Sequence, residues 1–530
     1  MKAALKTLAA ALALFAMPAL ADPIRVDGGL IDGKDLGNGV TGWFGVPFAA
    51  PPLRDLRWKP PQPVAGWDGV FHADRFAPMC LQPLRSRTMN HYFGNEATSE
   101  DCLYLNVWAP TTAQPGAKLP VIVWIYGGGF NVGSASMANY AGDHLASQGV
   151  VYVAIAYRVG PMGFLAHPQL TAEGGGHSGN YGLMDQVAAL QWVQRNAAAF
   201  GGDPANVTVM GQSAGSMSVS LLQMDPQAKG LFARLVGMSG STHGGIMTPV
   251  PLLVAEAQGV KLQQALSAGS IEAMRDLPGD RILAVAAGVP RVPVVIDGQH
   301  VTATAQAVFA AHRHSDVPVM VGFTQDERFA TLGPATTVTA YEAVIRAAFG
   351  DRAAGVLQSY PARTDADVAR ALVYVMRDMS VGSQMFDWAM DNASNGTQPT
   401  YAYVFTRRHP YAAGIAFADH DPATVGAYHT GEVPYFLRNL ESLNLFRQTR
   451  DWGPADFRLR DTMSAMILSF ARTGKPAGNW PAFDPKRPKA MMLGITGGVI
   501  DWPNWQALPL LKVPSPETAL PGKGAIRPRD

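Results

Sequence analysis

A chain of 530 residues in which 42 lysines and arginines balance 41 aspartates and glutamates has no charge surplus with which to hold nucleic acid or an anionic membrane surface. Its 48% hydrophobic content is enough for a large core, and 55 glycines and 40 prolines imply many turns around it. Length alone would allow three or four domains, yet no polar low-complexity linker and no repeat of fixed period divides the sequence. One large α/β domain with insertions is therefore expected over residues 22–530, its central sheet mainly parallel and flanked by helices.

At the N-terminus, Met1 to Lys6 carries two lysines, Leu8 to Leu20 is apolar, and Ala19-Leu20-Ala21 offers a small-residue cleavage site. These are the parts of a secretory signal peptide over residues 1–21, cut before Asp22. The apolar stretch falls short of the ~20 residues that span a bilayer, so an exported protein, periplasmic or secreted, is expected rather than a membrane-anchored one. The two cysteines, Cys80 and Cys102, suit a disulfide in an oxidising compartment. It would close a loop from Leu81 to Asp101 that holds Tyr92 and Phe93. Too few further ligands accompany the cysteines for a metal site, and no metal or cofactor is expected.

Six apolar runs then read as strands covered on both faces: Val121 to Tyr126, Val150 to Tyr157, Val207 to Met210, Leu235 to Met238, Pro318 to Phe323 and Tyr401 to Phe405. Helical spacing appears between and after them. Leu183, Val187, Leu190 and Val193 recur at steps of four, three and three, and Met463, Met466, Ile467 and Phe470 recur ahead of Gly474 and Pro476. The Ala-rich stretches 251–311 and 336–395 read as helical insertions. Alternating strands and helices point to a doubly wound sheet.

Four segments carry chemistry. Gly211-Gln212-Ser213-Ala214-Gly215 follows a strand and opens a helix over Ser216 to Met224, the context in which G-x-S-x-G is a nucleophile elbow. A serine hydroxyl needs a base, an orienting acid and oxyanion donors. His429, in a Gly-flanked loop after the last strand, falls where the base of such a fold belongs, although His409, His420 and His243 compete on spacing. For the acid, Gln325-Asp326-Glu327 follows a strand, and the residues alone do not choose between Asp326 and Glu327. Tyr126-Gly127-Gly128-Gly129-Phe130 ends an earlier strand, and consecutive glycines let backbone amides turn towards a substrate oxygen. A phosphate loop is the rival reading of a glycine run, but the GK[ST] ending and the G-x-G-x-x-G spacing are both missing.

Taken together these blocks resemble the carboxylesterase type B family, which includes the cholinesterases. Phe200-Gly201-Gly202-Asp203-Pro204 with the GQSAG segment, Glu100-Asp101-Cys102-Leu103-Tyr104-Leu105-Asn106, Gly179-Asn180-Tyr181-Gly182-Leu183 and Tyr157-Arg158 carry the likeness, which runs from about Gly42 to Trp480. The resemblance implies an α/β-hydrolase fold and a triad of Ser213, Glu327 and His429, with Glu327 preferred to Asp326. It also implies oxyanion donors at Gly128, Gly129 and Ala214, a buried serine near the triad at Ser241, and a disulfide between Cys80 and Cys102. The cholinesterases carry a glutamate before the nucleophile and a tryptophan in the first disulfide loop. Here Gln212 and, by spacing, Tyr92 replace them, which argues against a cationic choline ester.

The activity expected is hydrolysis of a small-molecule carboxylic ester through an acyl-enzyme, failing at low pH as the histidine is protonated. Amide, carbamate or lactone hydrolysis by the same triad is the alternative, and a non-catalytic binding module is a second. Tyr92, Phe93, Phe130 and Met247 are candidate pocket walls.

Overall fold

The computed structural model describes residues 23–86, 88–90, 97–244, 248–290 and 294–512. The leader expected over 1–21 and the candidate wall residues Tyr92, Phe93 and Met247 lie outside these.

The core is an 11-stranded sheet. Its strands in chain order are Lys34–Asp35 (β1), Val40–Pro47 (β2), Tyr104–Pro110 (β3), Leu119–Ile125 (β4), Val151–Ile155 (β5), Gly202–Gln212 (β6), Arg234–Met238 (β7), Val319–Thr324 (β8), Thr400–Phe405 (β9), Lys489–Leu493 (β10) and Gly498–Asp501 (β11). They lie side by side in the order β1-β2-β3-β5-β4-β6-β7-β8-β9-β10-β11. From β5 through β4 and β6 to β10 every pairing is parallel, whereas β1, β2 and β3 on one edge and β11 on the other run antiparallel. The six apolar runs are β4 to β9. They are legible because helices bury both faces, so no polar alternation interrupts them.

The helices that matter for the site are Tyr181–Asn196 (α1), Ala214–Met224 (α2), Leu252–Ala265 (α3), Val338–Phe349 (α4), Asp365–Arg377 (α5), Ser383–Asn395 (α6) and Pro454–Thr473 (α7). The periodic residues of α1 and α7 are buried against the sheet, and α7 ends at Gly474, where a positive φ of 75° suits glycine. The two insertions are helical, supplying α3 and then α4 to α6. On α4 and α5, Tyr341, Ile345, Phe349, Val368 and Leu372 close a satellite core of their own. Helix α6 packs so tightly on β7 that a Cβ at Gly237 would lie 2.1 Å from the Trp388 ring.

Several motif residues serve the frame instead of the chemistry. Arg158 grips Asp185 of α1 with two bonds, of 2.8 and 2.7 Å, and both side chains are buried. Arg57 holds Glu100 in the same forked way. Cys80 and Cys102 are joined as a disulfide beside that pair.

Candidate active site

Parallel pairing puts the C-terminal ends of the central strands along one edge, where such folds gather reactive groups. The register pairs Ile125 with Gly211, Gln212 with Met238, and Met238 with Gly322, so the ends of β4, β6, β7 and β8 stand in line. The Gly127 to Gly129 run leaves β4, Ser213 leaves β6, Glu327 follows β8, and His429 lies in the loop after β9. All of them border one cavity of about 730 Å³.

Ser213 has φ 58° and ψ −125°, a left-handed conformation that non-glycine residues rarely adopt. Its amide donates to Met238 O at 2.7 Å, and its carbonyl accepts the Met217 amide in the first turn of α2. These bonds hold the strained turn. The glycines on either side are required by space: a Cβ at Gly215 would come within 2.0 Å of Ile125 O, and one at Gly211 within 2.5 Å of Gly215. Gly128, with φ 117°, and Gly129, with φ 62°, line the cavity beside Ser213, and Ala214 opens α2, where helix amides lack intrahelical partners.

His429 Nδ1 lies 3.0 Å from Glu327 Oε2. The other oxygen, Oε1, accepts the Thr324 amide at 2.8 Å and its hydroxyl at 2.9 Å. Burial alone would push this carboxyl up. The positive charge that His429 can carry, with hydrogen bonds from His429, Ser239 and Thr324, outweighs burial and holds it below the ordinary glutamate value. An ionised Glu327 accepts only, so Nδ1 carries the proton and Nε2 presents its lone pair. The Gln212 side chain packs over the face of that ring, its Nε2 3.0 Å from His429 Nε2 and 3.4 Å from Nδ1. Among the described residues no hydrogen bond joins Ser213 Oγ to His429. Asp326, the rival acid, points elsewhere and accepts the Ala427 amide at 2.7 Å.

The competing histidines have other occupations. His409 is buried, donating from Nε2 to Gly431 O at 2.8 Å and accepting Tyr428 and Arg450 at Nδ1. Burial, with the Arg450 charge second, drives it well below the usual histidine range. His243 is walled in by Trp388 and Phe309, and burial takes it down to about 3. His420 does line the cavity, stacked between Phe417 and Tyr428.

Ser241 is wholly buried, and its hydroxyl donates to Gln384 O on α6 at 2.8 Å. Ser239, just past β7 and beside β8, is the serine next to the triad acid, and its hydroxyl donates to Glu432 at 3.2 Å. Two residues further on, the chain has already turned away from β8 towards α6. One expectation needs correction: Phe130 is not among the described wall residues. The left-handed turn at Gly129 and Phe130 sends its ring into the core against Phe164, 5.0 Å away.

The sequence reading also missed residues that the fold brings in. Phe329 sets its edge on the His429 ring at 4.4 Å and lines the cavity. Only its place two residues after Glu327 hinted at this. Glu432 is wholly buried behind the triad acid, and burial with the neighbouring Glu327 charge raises it to about 8. Beyond the elbow, the glycine run and the Glu327–His429 pair, the described wall includes Arg85, Asn90, Asn131, Asp419, His420 and Tyr428, and so is largely hydrogen-bonding.

The profile of the Carboxylesterase family matches residues 21–501. The fumonisin B1 esterase of Sphingopyxis macrogoltabida is 36% identical over 495 residues, spanning 89% of this chain and 86% of that protein. The para-nitrobenzyl esterase of Bacillus subtilis is 32% identical over 479 residues, spanning 86% of this chain and 91% of that one. A solved PNB esterase structure superposes with a TM-score of 0.77 at 28% identity, covering 93% of this chain and all of its own.

Proposed function

The chain belongs to the carboxylesterase family and is a carboxylic-ester hydrolase with an α/β-hydrolase fold; we propose that it acts through a Ser213–His429–Glu327 triad and a covalent acyl-enzyme. The observation that carries this reading is the 3.0 Å Glu327–His429 bond at the wall of the cavity into which the strained Ser213 opens. His429 takes the proton from Ser213 Oγ as that oxygen attacks the ester carbonyl. Glu327 fixes the Nδ1–H tautomer and stabilises the imidazolium that forms. The amides of Gly128, Gly129 and Ala214 receive the tetrahedral oxyanion, a contribution of about 3 kcal/mol per donor in such sites. The alcohol leaves with the proton from His429, and water then releases the acid by the same steps.

The substrate is a small ester entering the cavity, and residues 22–530 act as one catalytic domain. No described helix is long and apolar enough to cross a membrane. A leader over residues 1–21 and the Cys80–Cys102 disulfide together support export to the periplasm or medium. The test is hydrolysis of a short-chain p-nitrophenyl ester by the purified protein beside Ser213→Ala. Activity in the parent and its loss in a folded variant is expected. Equal rates in both would overturn the assignment.

A further inference from the structure

Helix α5 carries two stripes. Val368, Leu372 and Val375, at steps of four and three, lie in the satellite core with α4. Arg370, Tyr374 and Arg377 recur at the same steps on the opposite side, where a surface helix ordinarily meets water. Here they meet a cavity instead. It measures about 380 Å³, within the range of small-molecule sites, and shares no wall residue with the active one. The turn after β8 divides the two cavities: Gln325 borders the second, Asp326 and Glu327 the first.

The wall of the second cavity is of two kinds. Val404 of β9, Met492 of β10, Ile500 of β11 and Pro503 make an apolar side. The α5 stripe makes a side of donors, and among the described residues no carboxylate lines the space. Arg377 grips Asp378 with two bonds of 2.7 Å, both side chains buried, and Tyr360 donates to the same carboxylate at 2.9 Å. A further N–H of Arg377 reaches Gln325 O at 3.3 Å, and the rest of its guanidinium has no described acceptor. Its charge lies 4.8 Å from the centre of the Tyr374 ring. Arg370 stands at the mouth, its side chain 66% exposed, and gives one nitrogen to Asp367. Burying the Arg377–Asp378 pair costs desolvation that apolar residues filling the same space would avoid, so the fold alone does not call for a cation on this stripe.

We propose that this cavity is a second binding site, taking an organic monocarboxylate with a short apolar body. Guanidinium groups match a planar carboxylate, and hold a neutral amide or alcohol of the same shape less well. The apolar side selects the body, because hydrocarbon buries there and a bare inorganic anion has none to bury. Acids of this class are what ester hydrolysis releases, so the enzyme's own product is a natural occupant. In that one respect the inference rests on the reaction described above; the binding itself does not involve the triad.

The probe is sodium hexanoate, titrated calorimetrically into the purified protein at constant ionic strength, beside hexanamide as its uncharged match. The parent, Arg370→Met, Tyr374→Phe and Ser213→Ala are compared, each checked for fold by circular dichroism. Hexanoate is expected to bind the parent in the millimolar range or tighter. Hexanamide on the parent, and hexanoate on Arg370→Met, should each bind about tenfold more weakly, the effect of losing a hydrogen bond to a charged group. Tyr374→Phe, which keeps the ring and loses the hydroxyl, should weaken hexanoate to a smaller extent. Arg370→Met should hydrolyse a p-nitrophenyl ester with the kcat/KM of the parent, since Arg370 lies outside the active cavity. No binding by the parent, equal affinity for hexanamide, or undiminished binding in Arg370→Met overturns the inference. If Arg370→Met does not fold, undiminished binding in Tyr374→Phe is the refuting result. Ser213→Ala should bind hexanoate as the parent does, and loss of binding there would place the acid in the active cavity instead. A Ser213→Ala protein that still hydrolyses ester would refute the triad and leave this site standing.

Discussion

Replacing Glu432 by glutamine tests the buried charge arrangement behind the triad. The side chain is fully enclosed, with Oε1 receiving Ser239 at 3.2 Å and Tyr403 at 3.4 Å, while Oε2 has no partner among the described residues. Burial and the adjacent Glu327 raise it from 4.5 to about 8. Between those values the folded protein keeps a proton that the unfolded chain has released. Stability therefore falls as pH rises through that window, and the contribution is fully present only below the lower value. The gap corresponds to roughly 5 kcal/mol, at 1.4 kcal/mol for each tenfold change in proton affinity. Glutamine does not titrate and keeps the acceptor that Ser239 and Tyr403 use. Any cost of its extra amide group is the same at every pH. The difference in stability between variant and parent should thus grow steadily in the variant's favour from pH 5 to pH 8, by several kcal/mol at the upper end. Urea midpoints of both proteins at four pH values would measure it. A difference that does not change with pH would show that Glu432 is ionised in the fold and would refute the reasoning.

The remaining expectations are simpler. Gly215→Ala places a Cβ 2.0 Å from Ile125 O, so helix α2 must shift away from β4. A loss of about 2–3 kcal/mol in stability and at least a hundredfold in kcat/KM is expected. Gly269→Ala, where nothing lies within 4 Å and φ is ordinary, should change neither, and equal behaviour of the two would count against the packing argument. Removing the disulfide by Cys80→Ser with Cys102→Ser frees two positions 22 residues apart, worth about 3 kcal/mol in the chain-entropy account. Thermal unfolding should begin several degrees lower, and an unchanged transition would mean that the loop is held by other contacts.

How much of this could be read beforehand differs from element to element. Strands β4 to β9 announced themselves because each is an unbroken apolar run sealed on both faces. Strands β2 and β3, though equally buried, carry Gly42, Gly45 and Asn106 within them and gave no such run. Asn106 is there because its side chain takes the Gly45 amide across a break in the β2–β3 register, a long-range need that local pattern cannot display. At the site, the elbow and glycine run were legible because backbone geometry dictates their residues. The choice of Glu327 over Asp326, and of His429 among its rivals, came from the family likeness. Side chains that sit next to each other in sequence part company only when β8 and β9 are aligned. Ser239, Phe329 and Glu432 left little local trace, since each matters through one neighbour more than 25 residues distant, or in a loop whose path the sheet determines.

The order of the strands has a consequence for how the enzyme comes into being. Its reacting groups issue from β4, β6, β8 and the loop after β9, so Gly128 must wait for His429, some three hundred residues later in the chain. Contacts so distant in sequence are slow to form, and none of the four segments holds its place without the strands on either side. An emerging chain therefore has no hydrolytic capacity until nearly all of it is made and the sheet has closed, and catalytic turnover is itself a report that folding is complete.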